Sequence, residues 1–181
     1  MDKIRDSADI LQPEKEETYQ FIEKLLSSVK ENFSTNRVHL GMDEAVMLGL
    51  GNYLKENGYK KGSLIIREHC NRVVDICRKL ELKPMIWSDM YITANSTGGY
   101  YDLPENTDCS KWEKPKKDLG LVYWDYYHDD TRTYEKMLDI HAQLSDNVIF
   151  AGGSWIWNGI SPNYSKTYAC TKAALSTCKK Y

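Results

Sequence analysis

The sequence predicts an α/β fold in which four parallel strands alternate with helices, and two observations support this fold class. Segments with apolar residues at helical spacing alternate along the 181 residues with short apolar runs. Those runs end in acidic or aromatic residues, which is typical of parallel strands whose carboxyl ends border an active site. The length suits one domain with a hydrophobic core, and we expect a single domain over residues 1–181.

Apolar residues at helical spacing predict most of the helices. The first is expected over residues 14–33, directly after Pro13, whose fixed φ suits a first helical turn. The glycine-containing segment 45–57 is predicted to be part helix and part loop. Three further helices are expected, from an N-cap at Ser63 to Leu80, from the cap region 129–131 to about Leu144, and from about Ser165 to Cys178.

Four short apolar runs lie between these helices and predict the strands. They cover residues 37–43, 85–89, 119–127 and 147–155, and Pro84 immediately precedes the second. A polar segment rich in Gly and Tyr, residues 93–117, shows no periodicity. A loop of that length in a compact domain is usually functional or disordered.

The first strand carries the most informative motif, Val38-His39-Leu40-Gly41-Met42-Asp43-Glu44. Strand alternation would place His39, Gly41 and Asp43 on one face and the apolar residues on the other. Burying a carboxylate at a strand end is costly unless a partner meets it, so this acidic pair is a candidate acid/base group. An N-cap Asp followed by a Glu that favours the next helix dipole is an equally open interpretation.

The other strands repeat this pattern, because each predicted strand ends in an acid or an aromatic residue on the face of Asp43. Aromatic walls with a few carboxylates suit sugars, whose C–H faces stack on rings and whose hydroxyls bond to carboxylates. Filling of a barrel or sheet core is the alternative. The residues expected to share this face are Met85, Trp87 and Asp89; Tyr123, Asp125 and Tyr127; and Ala151, Gly153, Trp155 and Trp157.

Composition and charge narrow the function classes. A net charge of −2 gives no support for a nucleic-acid or membrane surface, and no apolar run approaches a membrane-spanning length. The charged N-terminus does not look like a signal peptide. Five cysteines without C-x-x-C spacing favour reduced, buried thiols, and a cytoplasmic location is therefore favoured.

The segment from His39 to Glu44 resembles the H-x-G-x-D-E signature of the family 20 glycoside hydrolases, the β-N-acetylhexosaminidases. In that family the signature ends the fourth strand of a (β/α)8 TIM barrel. Three further matches follow in order: Trp87 resembles the strand-five Trp, Asp125 and Tyr127 resemble a strand-six D-x-Y pair, and Trp157 resembles the strand-seven Trp. The resemblance implies about half of a barrel, strands four to seven.

The resemblance also implies a mechanism, in which the 2-acetamido oxygen of the substrate attacks the anomeric carbon and no enzyme nucleophile is needed. Glu44 is implied as the general acid and Asp43 as the group that orients the acetamido N–H and offsets the developing positive charge. Tyr127 would bond the acetamido oxygen, and Asp125 would hold Tyr127 or a sugar hydroxyl. Three tryptophans would line the pocket: Trp87, Trp155 and Trp157.

His39 is expected to be a buried hydrogen-bonding partner of the carboxylates. No second His stands at ligand spacing from it, so neither a metal nor a cofactor is expected. The chain departs from the family at Gly159, where a Glu commonly follows the strand-seven Trp by two residues, or else Trp155 is the matching Trp. The family's strand-one Arg, which clamps the terminal sugar, has no counterpart in these 181 residues.

Two other functions stay open. The chain is alternatively a catalytically incomplete fragment that folds and at most binds sugar weakly. The third interpretation is a metal-dependent hydrolase that uses Asp43, Asp89 and Asp125. In either barrel interpretation the partner is a glycan containing N-acetylhexosamine, and the inner sheet face is expected to be covered in a homo-oligomer, because bare apolar faces and sheet edges invite association.

Overall fold

The computed structural model describes residues 2–181, and its centre is one four-stranded sheet. The strands lie in the order β1-β2-β3-β4 and every neighbouring pair is parallel. Helices separate them along the chain, so the predicted α/β fold with four parallel strands is confirmed. The strands are β1 Arg37–His39, β2 Lys83–Trp87, β3 Gly120–Trp124 and β4 Val148–Ala151.

Of the six α-helices in residues 2–181, five lie close to their predicted positions and one, over residues 89–93, was not predicted. They are α1 Glu16–Asn32, α2 Asn52–Asn57, α3 Gly62–Lys79, α4 Asp89–Thr93, α5 Thr131–Leu144 and α6 Tyr164–Cys178. Asp130 caps α5 through the Thr133 amide at 2.8 Å. The expected cap at Ser63 is wrong, because the amides of Leu64 and Ile65 already bond to the Lys61 carbonyl and the helix begins earlier.

Strands β1, β3 and β4 are shorter than predicted, whereas β2 keeps its predicted length. After β1, Gly41, Met42 and Glu44 all adopt positive φ, which interrupts the alternation expected through residue 43. Backbone pairing still continues, since the Leu40 amide bonds to the Met85 carbonyl at 2.8 Å and the Trp87 amide bonds to the Gly41 carbonyl at 3.1 Å.

Strand β2 begins before its predicted start and contains Pro84. A proline inside a sheet must sit where no ladder donor is needed. The flanking Lys83 amide and Met85 carbonyl both bond toward β1. Pairing with β3 begins only at Met85, opposite Gly120. No β3 residue is therefore paired with Pro84, and the missing N–H of the proline leaves no ladder bond unmade.

The register corrects the predicted faces of β3. Trp87 pairs with Val122 and Ile86 pairs with Leu121, so Tyr123 lies on the face of Ile86. The sequence analysis placed Tyr123 and Asp125 on the face of Trp87, and this placement is wrong. Alternation within a strand does not fix its offset from a neighbour, and an error of one residue exchanges the faces.

One face of the sheet packs against helices and forms the main core. Ile86, Leu121 and Tyr123 are fully buried there, together with apolar residues of α3 and α5. The other face is less completely covered, and we call it the open face. Its residues are the exposed His39, the buried Val122, and the half-buried Met85, Trp87, Trp124, Ile149 and Ala151.

The loop after α4 contains no helix or strand, as expected for residues 94–117. It is nevertheless packed, because Tyr100, Leu103 and Cys109 are buried in the main core. All five cysteines are free and four of them are buried, in agreement with the expected reduced thiols. Among the helices of residues 2–181, none combines the length and apolar character needed to cross a membrane.

Candidate active site

The Asp43-Glu44 pair lies just beyond the carboxyl end of β1, and both side chains are exposed. Three positive-φ residues, Gly41, Met42 and Glu44, give this segment its shape. Such backbone conformations are costly for residues other than glycine and persist only where the surroundings hold them. The acidic pair therefore occupies a shaped turn rather than an extended strand or the first turn of a helix.

The two carboxylates line different clefts. A cleft of about 500 Å³ lies between α1 and the end of β1, and its wall includes His39 and Asp43. A second cleft of about 620 Å³ lies on the α4 side, and its wall includes Glu44, Asp89 and Trp124. Ala45 and Leu48 line both clefts, which therefore adjoin next to the acidic pair.

Asp89 holds Glu44 from the neighbouring strand end. Its side chain is buried, and one carboxylate oxygen accepts the Glu44 backbone N–H at 2.8 Å. The other oxygen accepts the indole N–H of Trp124 at 3.4 Å. Burial raises the pKa of Asp89, the two N–H donors oppose that shift, and the negative charge of Asp43 adds to it.

His39 does not have the buried position expected for it. Its ring is exposed and lies against Trp87 with the ring centroids 4.4 Å apart. Its Nδ1 accepts the Gly41 amide at 3.1 Å, which ties the histidine to the turn before the acidic pair. Partial burial lowers the pKa of His39, and the charge of Asp43 opposes this shift.

Asp125 is completely enclosed, and its acceptor positions are occupied by protein donors. The Tyr123 hydroxyl and His128 Nδ1 contact one oxygen at 3.0 and 2.8 Å. The amides of Tyr127 and His128 contact the other at 3.0 and 3.3 Å. Of the two roles expected for Asp125, holding Tyr127 fits this geometry and contacting a sugar hydroxyl does not.

Sequence reasoning missed Tyr126, which lies two residues after Trp124, the last residue of β3 on the open face. Its ring stacks on Trp124 at 5.7 Å and meets Trp157 edge-on at 5.0 Å. Burial is the main cause that raises the pKa of Tyr126 to about 12, and the charges of Glu44 and Asp43 add to it. The phenol of Tyr126 therefore lies within the field of the acidic pair.

Tyr127 lies beside Tyr126, with the ring centroids 4.6 Å apart, and extends toward α6. It is 44% exposed, its ring meets Trp155 at 5.5 Å, and Lys166 of α6 lies 5.9 Å from its centroid. The Lys166 ammonium lies 3.9 Å above the Trp155 ring. Tyr126 and Tyr127 thus contact each other, with Tyr126 against Trp124 and Tyr127 against Trp155.

Trp155 and Trp157 form a stacked pair, with centroids 5.1 Å apart. Trp155 is buried and its indole N–H bonds to the Tyr126 carbonyl, whereas Trp157 is 50% exposed. Gly153 permits this packing, because an added Cβ would lie 2.6 Å from Trp157 and 2.9 Å from Tyr126. The aromatic residues after β3 and β4 thus form one connected wall, and Gly159 lies beyond it with positive φ.

Within residues 2–181, no group of three or more His, Cys, Asp or Glu side chains is arranged to hold a metal ion. Two of the three carboxylates considered for a metal-dependent hydrolase, Asp89 and Asp125, already bond to protein N–H and O–H donors. The geometry instead presents an exposed acidic pair beside an aromatic wall.

Comparison with known protein families assigns the chain to one of them. The profile of "Glycosyl hydrolase family 20, catalytic domain" matches residues 2–137, a stretch that includes the acidic pair, Trp87 and the end of β3. The chain belongs to glycosyl hydrolase family 20, a family of glycosidases. Its four parallel strands and their helices form part of the TIM barrel of that family. No curated protein matches the chain.

Several solved structures are similar to it at low sequence identity. One is described as "A Glycoside Hydrolase Family 20 beta-N-Acetylglucosaminidase", with 16% identity and a TM-score of 0.40 over 81% of this chain and 24% of that one. Two are structures of the pneumococcal enzyme StrH, both at 14% identity, with TM-scores of 0.45 and 0.43 over 94% of this chain and 50% of each of those. The chain thus spans half or less of the solved chains that it matches.

Proposed function

We propose that this chain carries the acid/base residues of a β-N-acetylhexosaminidase, which hydrolyses terminal N-acetylhexosamine residues when the barrel is complete. The observation that carries the proposal is the exposed Asp43-Glu44 pair, at the carboxyl end of a parallel strand and within the stretch that matches family 20. Active sites of TIM barrels lie at this edge. The connected aromatic wall beside the pair suits a sugar substrate.

In the proposed reaction the acetamido oxygen of the substrate attacks the anomeric carbon as the glycosidic C–O bond breaks. Glu44 donates its proton to the leaving oxygen. The resulting cyclic oxazolinium carries positive charge, which Asp43 offsets while it accepts the acetamido N–H. Water then attacks the anomeric carbon, Glu44 takes up the proton, and the ring reopens with net retention of configuration.

Both carboxylates act on the same sugar in this reaction, so the assignment rests on their shared position just beyond the carboxyl end of β1. Asp43 borders the cleft that also contains His39, and Glu44 borders the cleft that also contains Asp89 and Trp124. A general acid must face the departing group, and a group that orients the acetamido must face the bound sugar. We assign these tasks to Glu44 and Asp43, with Trp87, Trp155 and Trp157 as pocket walls.

For the hydroxyl that bonds the acetamido oxygen, the geometry favours Tyr126 over the Tyr127 inferred from sequence. Tyr126 stacks on Trp124 of the open face and lies near both carboxylates, whereas Tyr127, in contact with Tyr126, extends toward Trp155 and Lys166 of α6. Tyr126→Phe should therefore reduce turnover more than Tyr127→Phe, and steady-state kinetics of the two variants tests this assignment. A larger loss for Tyr127→Phe would restore the assignment made from sequence.

The decisive experiment is Glu44→Gln in the protein made from its complete reading frame. Turnover of an N-acetylglucosaminide with a poor alkyl leaving group should fall on the order of 100-fold or more, because the variant lacks the proton donor. A dinitrophenyl glycoside, which needs little protonation, should lose much less. Glu31→Gln on α1, also exposed, is the matched control. Equal losses on both substrates would argue against Glu44 as the acid.

A second candidate function is sugar binding without turnover. It is favoured by the half-buried apolar residues of the open face, which show that these strands alone do not enclose a substrate. Calorimetry of the 181-residue chain with N-acetylglucosamine thiazoline, a mimic of the cyclic intermediate, separates the two functions. If the chain binds this mimic and the protein made from the complete reading frame hydrolyses no substrate, the result would support sugar binding without turnover.

The same apolar residues motivate the expected homo-oligomer. We propose that a second copy covers the open face when the 181-residue chain is in solution, because Met85, Trp87 and Trp124 are otherwise left partly in water. Light scattering at micromolar concentration should report a dimer or a larger assembly. A compact monomer would contradict this proposal without affecting the catalytic one.

A further inference from the structure

Asp89 connects three strand ends. It is the first residue of α4, directly after β2, yet its carboxylate does not cap that helix. One oxygen reaches the Glu44 backbone beyond β1 and the other reaches the Trp124 indole at the end of β3. Only 3% of the residue is exposed, so water does not compete strongly for these bonds.

The residue that Asp89 holds is in an unfavourable backbone conformation. Glu44 has φ of 48°, in the left-handed region, and follows Met42 at 69° and Gly41 at 72°. Such a turn has alternatives of lower strain, and a specific partner is needed to keep it. The 2.8 Å bond from the Glu44 amide to Asp89 is such a partner, and it joins the turn to a buried group of the core.

The charge state of Asp89 fits this task. Both contacts come from N–H donors, so the ionised carboxylate satisfies both, whereas an amide of the same shape has only one accepting atom. Burial raises the pKa of Asp89, and the two N–H donors favour its charged form.

We propose that Asp89 is the positioning residue for Glu44: its buried carboxylate fixes the backbone of the general acid against Trp124, and so sets where the Glu44 proton is delivered. This inference rests on the proposed function for its catalytic consequence, but the positioning itself can be measured without turnover. A displacement of a catalytic group by about 1 Å is enough to cost on the order of 100-fold in rate.

The test uses Asp89→Asn, which keeps the side-chain shape and removes one acceptor and the charge. In amide-resolved NMR of the 181-residue chain, the Glu44 N–H should move upfield, and its exchange should accelerate by roughly 10-fold or more as its hydrogen bond weakens. Asp146→Asn, an exposed change at the opposite edge of the sheet, should leave this resonance unchanged. Trp124→Phe should retain protection at Glu44, because the Asp89 bond to that amide remains.

The effect of Asp89 on turnover is measured in the protein made from the complete reading frame. Asp89→Asn should lower kcat for an alkyl N-acetylglucosaminide by roughly 10- to 100-fold with little change in KM, and should affect the dinitrophenyl glycoside much less. Equal losses on both substrates would mean that Asp89 has only a structural role, and would overturn the proposal that it sets where the Glu44 proton is delivered.

The two proposals fail in different ways. An unchanged Glu44 amide in Asp89→Asn would overturn the positioning itself. If the wild-type protein hydrolyses neither glycoside, the proposed function fails, and the NMR experiment still decides whether Asp89 holds Glu44.

Discussion

An aspartate follows the carboxyl end of both β1 and β3, and the two differ in solvent exposure and in hydrogen bonding. Asp43 after β1 is exposed and borders a cleft. Asp125 after β3 is enclosed and accepts four contacts from Tyr123, Tyr127 and His128. The same residue type thus serves as a candidate reacting group in one place and as the organiser of a loop in the other. Available acceptor capacity, rather than position at a strand end, distinguishes the two.

The largest effect expected from this contrast concerns stability. Asp125→Ala should lower the free energy of unfolding by about 3 kcal/mol, because it leaves several buried donors without acceptors. Asp43→Ala should change it by no more than about 0.5 kcal/mol, since an exposed side chain away from such networks contributes little. Urea unfolding of the two variants measures the difference. Similar losses in both would show that the two sites are not distinct.

A smaller effect is expected where the aromatic wall is closest to the backbone. Gly153→Ala would bring a methyl against Trp157 and Tyr126 and should cost roughly 2–3 kcal/mol through overpacking. In Gly152→Ala, the matched control, the new methyl meets the edge of the Phe150 ring at 3.3 Å and should be tolerated better. Thermal unfolding gives the cost, and near-ultraviolet circular dichroism reports any displacement of the tryptophans.

Histidines on the two faces of the sheet should also differ in how strongly they make the free energy of unfolding depend on pH. On the helix side, His141 is fully buried between the Met137 carbonyl and the Ser88 hydroxyl, and burial lowers its pKa to about 4. Because its folded pKa lies below the unfolded value, its contribution to stability is complete above the unfolded pKa and is lost as pH falls toward 4. One such group should cost about 2 kcal/mol between pH 7 and pH 5.

This pH dependence can be assigned with one variant. Replacing His141 with Gln should flatten the fall in unfolding free energy between pH 7 and pH 5, whatever its effect at neutral pH. The corresponding change at His39, whose pKa is lowered by partial burial with Asp43 opposing the shift, should reduce the slope less than His141→Gln does. Equal slopes in wild type and His141→Gln would contradict the assignment.

The smallest effect is expected at the outer side of the aromatic wall. Lys166→Met removes the ammonium that lies over Trp155 and should cost about 0.5–1 kcal/mol, the usual range for a cation–π contact that is not fully buried. A double-mutant cycle with Trp155→Leu isolates this interaction from the loss of the lysine stem. A coupling energy near zero would mean that the contact does not contribute to stability.

The sequence predicted the features that depend on local pattern. Strand and helix order follow from hydrophobic spacing, and the acidic pair and Trp87 were recognisable from their motif. The faces of β3 were not, because they depend on the pairing of Val122 with Trp87, which no property of β3 alone determines. Asp125 was therefore expected on the open face, and Tyr126, which follows Trp124 there, was overlooked.

Two other findings required distances across the chain. The partners of Asp89 are 45 and 35 positions away, and their contact depends on where β1, β2 and β3 end relative to one another. The positive φ values of Met42 and Glu44 have no glycine or asparagine to signal them. Sequence reasoning had a cue only in the Asp at residue 89, two positions after Trp87, and could not infer what it would hold.

Asp43 and Glu44 share a peptide bond and yet border separate clefts, and this arrangement constrains how such a site can change. Any backbone movement carries both carboxylates together, so the site cannot adjust one by shifting the turn without displacing the other. Independent adjustment is left to the side chains around each cleft, His39 on one side and Asp89 and Trp124 on the other. Variation in substrate preference among relatives should therefore accumulate at those neighbours, while the length of the turn between Gly41 and Glu44 stays constant.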